Sequence, residues 1–81
     1  NSQPTDQQKV VIYGTNWCSH TNSARNDLRS YRPEFVDCDV QSDRCRMEGV
    51  KAYPVVKNGE HVVTGWPNGG ASGPFVKQLG L

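Results

Sequence analysis

"KVVIYGTNWCSHTNSARNDL", Lys9 to Leu28, changes its pattern in the middle. Lys9 to Gly14 is a continuous apolar, β-branched run, the pattern of a strand buried on both faces. Thr15 and Asn16 make a short loop. From Trp17 onward, Thr21, Ala24, Leu28 and Tyr31 fall at three- and four-residue steps, separated by Arg25, Asn26, Asp27 and Arg29. That spacing predicts a helix, ended by Pro33. Cys18 therefore stands where a strand hands over to a helix. Unpaired N–H groups and the helix dipole favour an anion there. A thiolate so placed can have its pKa drawn from ~8.5 down to ~3.5–7.5. The other reading of Cys18 is a small buried hydrophobe, as free cysteines often are.

Working outward, Glu34–Cys38 ("EFVDC") reads as a second short strand. The polar stretch after it, with Val40, Met47 and Val50, reads as a short helix closing near Gly49. Tyr53–Lys57 ("YPVVK") reads as a third strand. Asn58-Gly59 is a hairpin turn signal and "EHVVTG" its return strand. Trp66–Gly73 is rich in Gly, Pro and Asn. Beyond it, Ser72 is a candidate cap, Pro74 a candidate first helical residue, and Phe75, Val76 and Leu79 the apolar side of a last helix. The order strand, helix, strand, helix, strand, strand, helix predicts an α/β protein. A parallel β-α-β unit and an antiparallel hairpin share a mixed four-stranded sheet flanked by three helices. Asn1–Gln8 reads as a mobile polar leader, and residues 9–81 as one domain.

The chain has 81 residues and a hydrophobic fraction of 35%, so its core must be thin and staples matter. Net charge is +1 with no basic block, which gives a nucleic-acid or membrane-surface role no electrostatic support. No apolar run approaches the ~20 residues that span a bilayer. The amino terminus lacks the charged-then-apolar signature of a signal peptide. The opening Asn1 is expected of a processed product or an excised domain. A monomer is expected. Three cysteines leave at least one unpaired within the chain, and a leftover cysteine reads as a reactive or intermolecular thiol.

Two stretches, "VVIYGTNWCSHT" and "GVKAYPVVKNGEHVVTGW", together resemble the thioredoxin-fold superfamily. There a strand runs into W-C-x-x-C at a helix start, and a later segment carries a cis proline and an N-G turn. The likeness extends from Lys9 to Leu79 and, in its brevity, is similar to the glutaredoxin core. It implies a minimal thioredoxin fold, βαβαββα, with Cys18 as nucleophile and Pro54 as a cis proline beside it. It also implies that the backbone around Tyr53 is open to an extended substrate. The segment "VDCDVQSDRCRMEGVKAYPVVKNG" is similar to the thioredoxin-like domain that accompanies vitamin K epoxide reductase homologues. That likeness suggests that Cys38 and Cys45 are a pair. They would form a local staple, a redox pair relaying to Cys18, or, without a bridge, two free thiols.

The departures from the resemblance shape the functional expectation. The resolving cysteine of the dithiol mechanism is Thr21 here, which offers a hydroxyl to a Cys18 thiolate but cannot form a disulfide. The family's buried acid, six residues before the cysteine, is Ile12. His20, if protonated, would steady the thiolate; otherwise it is an exposed surface histidine. His61 is expected to face solvent. Gly69, Gly70 and Ser72 could capture a glutathione carboxylate at the last helix, or form a plain glycine-rich loop. The expected activity is single-cysteine thiol–disulfide exchange, with catalytic Cys18, Thr21 and His20, substrate contacts at Trp17, Tyr53, Pro54 and Trp66, and release by an external thiol. Disulfide or thiol proteins are the expected partners and glutathione a possible cosubstrate. No resident cofactor or metal ligand set is read. A peptide-binding module without redox turnover is the alternative. An iron–sulfur carrier is a third reading, weakened because the Gly and Phe that follow the cysteine of monothiol glutaredoxins are Ser19 and His20.

Overall fold

The structure is a computed structural model that describes residues 9–68 and 72–81. The leader Asn1–Gln8 and the glycines Gly69 and Gly70 lie outside the described residues. The elements are β1 (Val10–Gly14), α1 (Ser19–Asp27), a 3-10 turn (Arg29–Tyr31), β2 (Glu34–Asp37), α2 (Ser42–Met47), β3 (Val55–Asn58), β4 (His61–Thr64) and α3 (Gly73–Gln78). The molecule is an α/β protein with one mixed four-stranded sheet in the order β2-β1-β3-β4. β1 runs parallel to β2 and antiparallel to β3, and β3 pairs antiparallel with β4. β1, internal to the sheet, is covered on both faces, which is why its sequence is apolar without alternation.

The two sheet faces carry separate cores. Val10, Ile12, Val56, Val63 and Trp66 pack with Ala24, Leu28 and Leu79, from α1 and the end of α3. Tyr13, Val36 and Val55 pack with Cys38 and Cys45 on the opposite face, where α2 lies. The alternation of side chains along each strand decides which core a residue joins. Cys38 and Cys45 form a disulfide, with a Cα–Cα separation of 5.7 Å, that ties the end of β2 to α2.

Several boundaries differ from the expected ones. α1 starts at Ser19, not Trp17, and Cys18 is its N-cap residue with extended backbone (φ −87°, ψ 121°). It ends at Asp27, and Arg32, with φ 53°, turns the chain out of the 3-10 segment before Pro33. Tyr31, expected on the buried side, is 38% exposed because it falls in that tighter turn. In α2 the buried residue is Cys45, while Met47 and, in the turn before the helix, Val40 are exposed. A six-residue helix has little more than one turn to bury, and the disulfide fixes which side faces inward. β3 begins at Val55, after the cis Tyr53–Pro54 bond, rather than at Tyr53. The hairpin turn is Gly59-Glu60, Gly59 having φ 62°, and Asn58 pairs with His61 inside the ladder. Asn58 is buried and donates its amide N–H to the carbonyl of Leu79 at 2.7 Å. Its side chain thus anchors the carboxyl-terminal end and leaves the turn to the next two residues. Ser72 is the N-cap residue of α3, without a side-chain cap bond.

Candidate functional site

The handover from β1 to α1 builds the site. The Cys18 N–H donates to the Thr15 carbonyl at 3.3 Å, and the Cys18 carbonyl accepts from Asn22 N–H at 3.1 Å. Asn22 also donates its amide to the Asn16 carbonyl at 3.0 Å, so the loop is closed from both sides. Cys18 is half-buried and is the free cysteine. Its thiol is drawn below the ordinary value, first by the Thr21 backbone N–H, against a smaller opposing push from burial. The Thr21 hydroxyl and the His20 backbone N–H lower it further. These are the unpaired first-turn donors of a helix, directed at a developing anion.

Thr21 is fully buried, and in the resting geometry its hydroxyl lacks a hydrogen-bond partner. A buried hydroxyl without a partner costs free energy. The Thr21 hydroxyl, free to turn about its C–O bond, is among the groups that favour the ionised Cys18. Gly14, the last residue of β1, makes room for this arrangement. A Cβ there would lie 2.8 Å from Thr21 Cγ2 and closer still to the hydroxyl oxygen.

The exposed side of the site is aromatic. Trp17 is 67% exposed, and its indole N–H donates to Asp39 Oδ2 at 2.7 Å. Its ring meets Tyr53 edge-on at 6.2 Å. Pro54 is buried, and its carbonyl accepts Gly65 N–H at 2.7 Å. Tyr53 also borders a cavity of about 300 Å³ over the Cys38–Cys45 disulfide, lined as well by Ser42, Arg46 and Lys51.

Trp66 takes a position different from the expected one, whereas His20 follows the second of its two readings, an exposed histidine in the first turn of α1. The His20 ring nitrogen Nδ1 lies 2.7 Å from the Trp66 carbonyl, so a proton on Nδ1 is held by that bond. The help His20 gives Cys18 comes from its backbone. Trp66 is 3% exposed. Its indole N–H donates to Asp27 Oδ2 at 3.0 Å and its ring packs on Phe75 at 5.5 Å. It is a core residue that presents only its carbonyl to the site, and it does not line a groove with Trp17. Ile12 is fully buried in the core, so that strand position carries no carboxylate. His61 is exposed and lies close to Gly80, where a Cβ would stand 2.9 Å from its Nε2. Asn68 bonds Ser23 and, at 3.4 Å, Ser19, drawing the segment after β4 onto α1. Asp39 and Gly14 were not legible as site residues, although a glycine closing a strand is a sign of close approach.

Among the described residues no group of three or more His, Cys, Asp or Glu converges as a metal set. Among them, too, no helix is long and apolar enough to cross a membrane. Compared with family models, curated proteins and solved structures, the chain finds no match.

Proposed function

We propose that the protein carries out single-cysteine thiol–disulfide exchange at Cys18. The observation that carries this reading is the place of the free Cys18, half-buried at the N-cap of α1 with extended backbone; the Thr21 and His20 backbone N–H groups and the Thr21 hydroxyl draw its thiol below the ordinary value. The sheet order, the cysteine at the start of α1 and the proline before β3 are also those of a minimal thioredoxin-like layout. The Cys18 thiolate attacks one sulfur of a substrate disulfide. A Cys18–substrate disulfide forms, and the other substrate sulfur leaves as a thiolate that takes a proton from water. Thr21 has no sulfur with which to resolve the intermediate. A second thiolate, from a small thiol of the glutathione class, attacks the substrate sulfur and carries it away as a new disulfide. The Cys18 thiolate is regenerated, so electrons balance without a resident cofactor. Trp17 and Tyr53 supply an exposed aromatic face for the substrate chain.

The test is the pH dependence of Cys18 alkylation, with mass detection of adducts after incubation with oxidised glutathione. The lowered thiol keeps Cys18 ionised, and therefore reactive, at pH values where an ordinary cysteine of pKa ~8.5 is protonated. Reactivity falls only as pH drops through the lowered value. Thr21→Ala shifts the inflection upward. An inflection near ~8.5 with no glutathione adduct would sink the proposal. The exposed Trp17–Tyr53 pair favours a second reading, peptide binding without turnover. In that case a bound peptide is retained by Cys18→Ala and lost by Trp17→Ala.

A further inference from the structure

We propose that the arginine-bearing face of α1 and the turn that follows it form a binding site for a compact polyanion, a small molecule with adjacent phosphate or carboxylate groups. Asn22, Arg25 and Asn26 recur at three- and four-residue steps, so they share one face of α1, and Arg29 opens the 3-10 turn that follows it. The 3-10 turn and the left-handed Arg32 bring a third guanidinium to the same place. Together with Phe35 of β2, these residues line a cavity of about 490 Å³. That volume lies within the ~300–1,000 Å³ of small-molecule sites.

The charge pattern is the decisive feature. Of the five arginines in the chain, Arg44 pairs with Glu34 and Arg46 with Asp43. The other three, Arg25, Arg29 and Arg32, have no carboxylate partner among the described residues, and all three line this one cavity. The acids nearest in sequence are engaged elsewhere. Asp27 accepts from the Trp66 indole, and Glu34 is shared by Arg44 and Lys9. Three like charges around one concavity repel each other until an anion enters. Arg25 is also held in place: its guanidinium carbon lies 3.9 Å over the Phe35 ring, which limits the side-chain freedom lost on binding. Guanidinium groups grip phosphate or carboxylate oxygens in pairs, so a ligand with several clustered oxyanions satisfies the set better than a single ion. The hollow is open and spans only one helix face and one turn, which suits a compact ligand rather than an extended nucleic-acid backbone.

Calorimetric titration of the full chain with pyrophosphate and with citrate, at matched ionic strength and with sulfate as the single-anion control, tests the site. Pyrophosphate or citrate should bind at least about tenfold more tightly than sulfate. The Arg29→Gln/Arg32→Asn double variant should lose at least about tenfold of that affinity, as expected when charge-assisted bonds are removed. Asn keeps a residue suited to the left-handed position. Arg44→Gln, which removes a paired arginine, should leave binding unchanged. In the wild-type protein the backbone amide signals of Asn26, Arg29 and Arg32 should shift on titration, a readout independent of any variant's folding. Binding of pyrophosphate alone assigns the phosphate class; equal binding of citrate assigns clustered oxyanions generally. Affinity no better than that for sulfate, equal loss in Arg44→Gln, or amide shifts spread over the whole surface would each overturn the proposal.

Discussion

Gly14→Ala is the most informative single change, because its effect passes through Thr21 to Cys18. The new Cβ would stand 2.8 Å from Thr21 Cγ2, against an ordinary carbon–carbon contact of ~3.5–4.0 Å. The overlap is therefore roughly 0.7–1.2 Å. Thr21 is fully buried, and its branched side chain has few rotamers to escape into. The start of α1 must shift instead. Overpacking of this kind costs ~1–3 kcal/mol, partly offset by the ~0.4–1 kcal/mol that alanine gains over glycine by restricting the unfolded chain. A net loss of about 1–2 kcal/mol should lower the melting temperature by roughly 4–16 °C in a domain of this size. In a Thr21→Ala background the two nearest obstructing atoms are gone and only the Cβ contact at 3.1 Å remains, so most of the cost of Gly14→Ala should disappear. The double-mutant cycle, measured by urea unfolding, should thus show a coupling of about 1–2 kcal/mol. The second readout is chemical. Moving Thr21 away from the sulfur removes donors that lower the Cys18 thiol, so the alkylation inflection should rise in Gly14→Ala. An equal Gly14→Ala cost in both backgrounds, with an unchanged Cys18 profile, would refute the packing argument.

Two further outcomes test the scaffold. Reducing Cys38–Cys45, which are seven positions apart, should cost about 2–2.5 kcal/mol by the chain-entropy relation for so short a loop; a denaturation midpoint unmoved by reductant would contradict this. Asn58→Ala removes the amide that donates to the Leu79 carbonyl and should cost about 1–3 kcal/mol. The loss should be visible as faster hydrogen exchange at the end of α3 before the rest of the sheet.

The helices show where sequence pattern stops being sufficient. α1 was legible because Thr21, Ala24 and Leu28 recur at helical spacing and are all fully buried. α2 was placed correctly, but its apolar residues were misleading. Val40 falls in the turn before the helix and Met47 points to solvent, since a covalent bond at Cys45 orients so short a helix more strongly than one hydrophobic side chain does. The two tryptophans look alike in a composition and differ completely in the fold. Trp17 lies on an exposed loop at a helix start, while Trp66 is drawn under α3 by Phe75 and Asp27. Local sequence carries no information on that choice, because Asp27 is thirty-nine positions away.

By itself, then, the sequence determined what depends on neighbours along the chain. The buried strand β1, the cysteine at a helix start, the hairpin after Pro54 and the order of elements all follow from side-chain periodicity and from residues that restrict the backbone. Tertiary structure alone decided what depends on meetings between separate elements. It paired Cys38 with Cys45 and turned the His20 ring to the Trp66 carbonyl. Even over seven positions, it set Thr21 of α1 against Gly14 of β1 and gathered three unpaired arginines around one cavity, because each meeting joins different elements. The reason is physical: propensity and periodicity act over one or two turns, whereas burial, hydrogen-bond partnership and charge compensation are settled only once the sheet has brought its helices together.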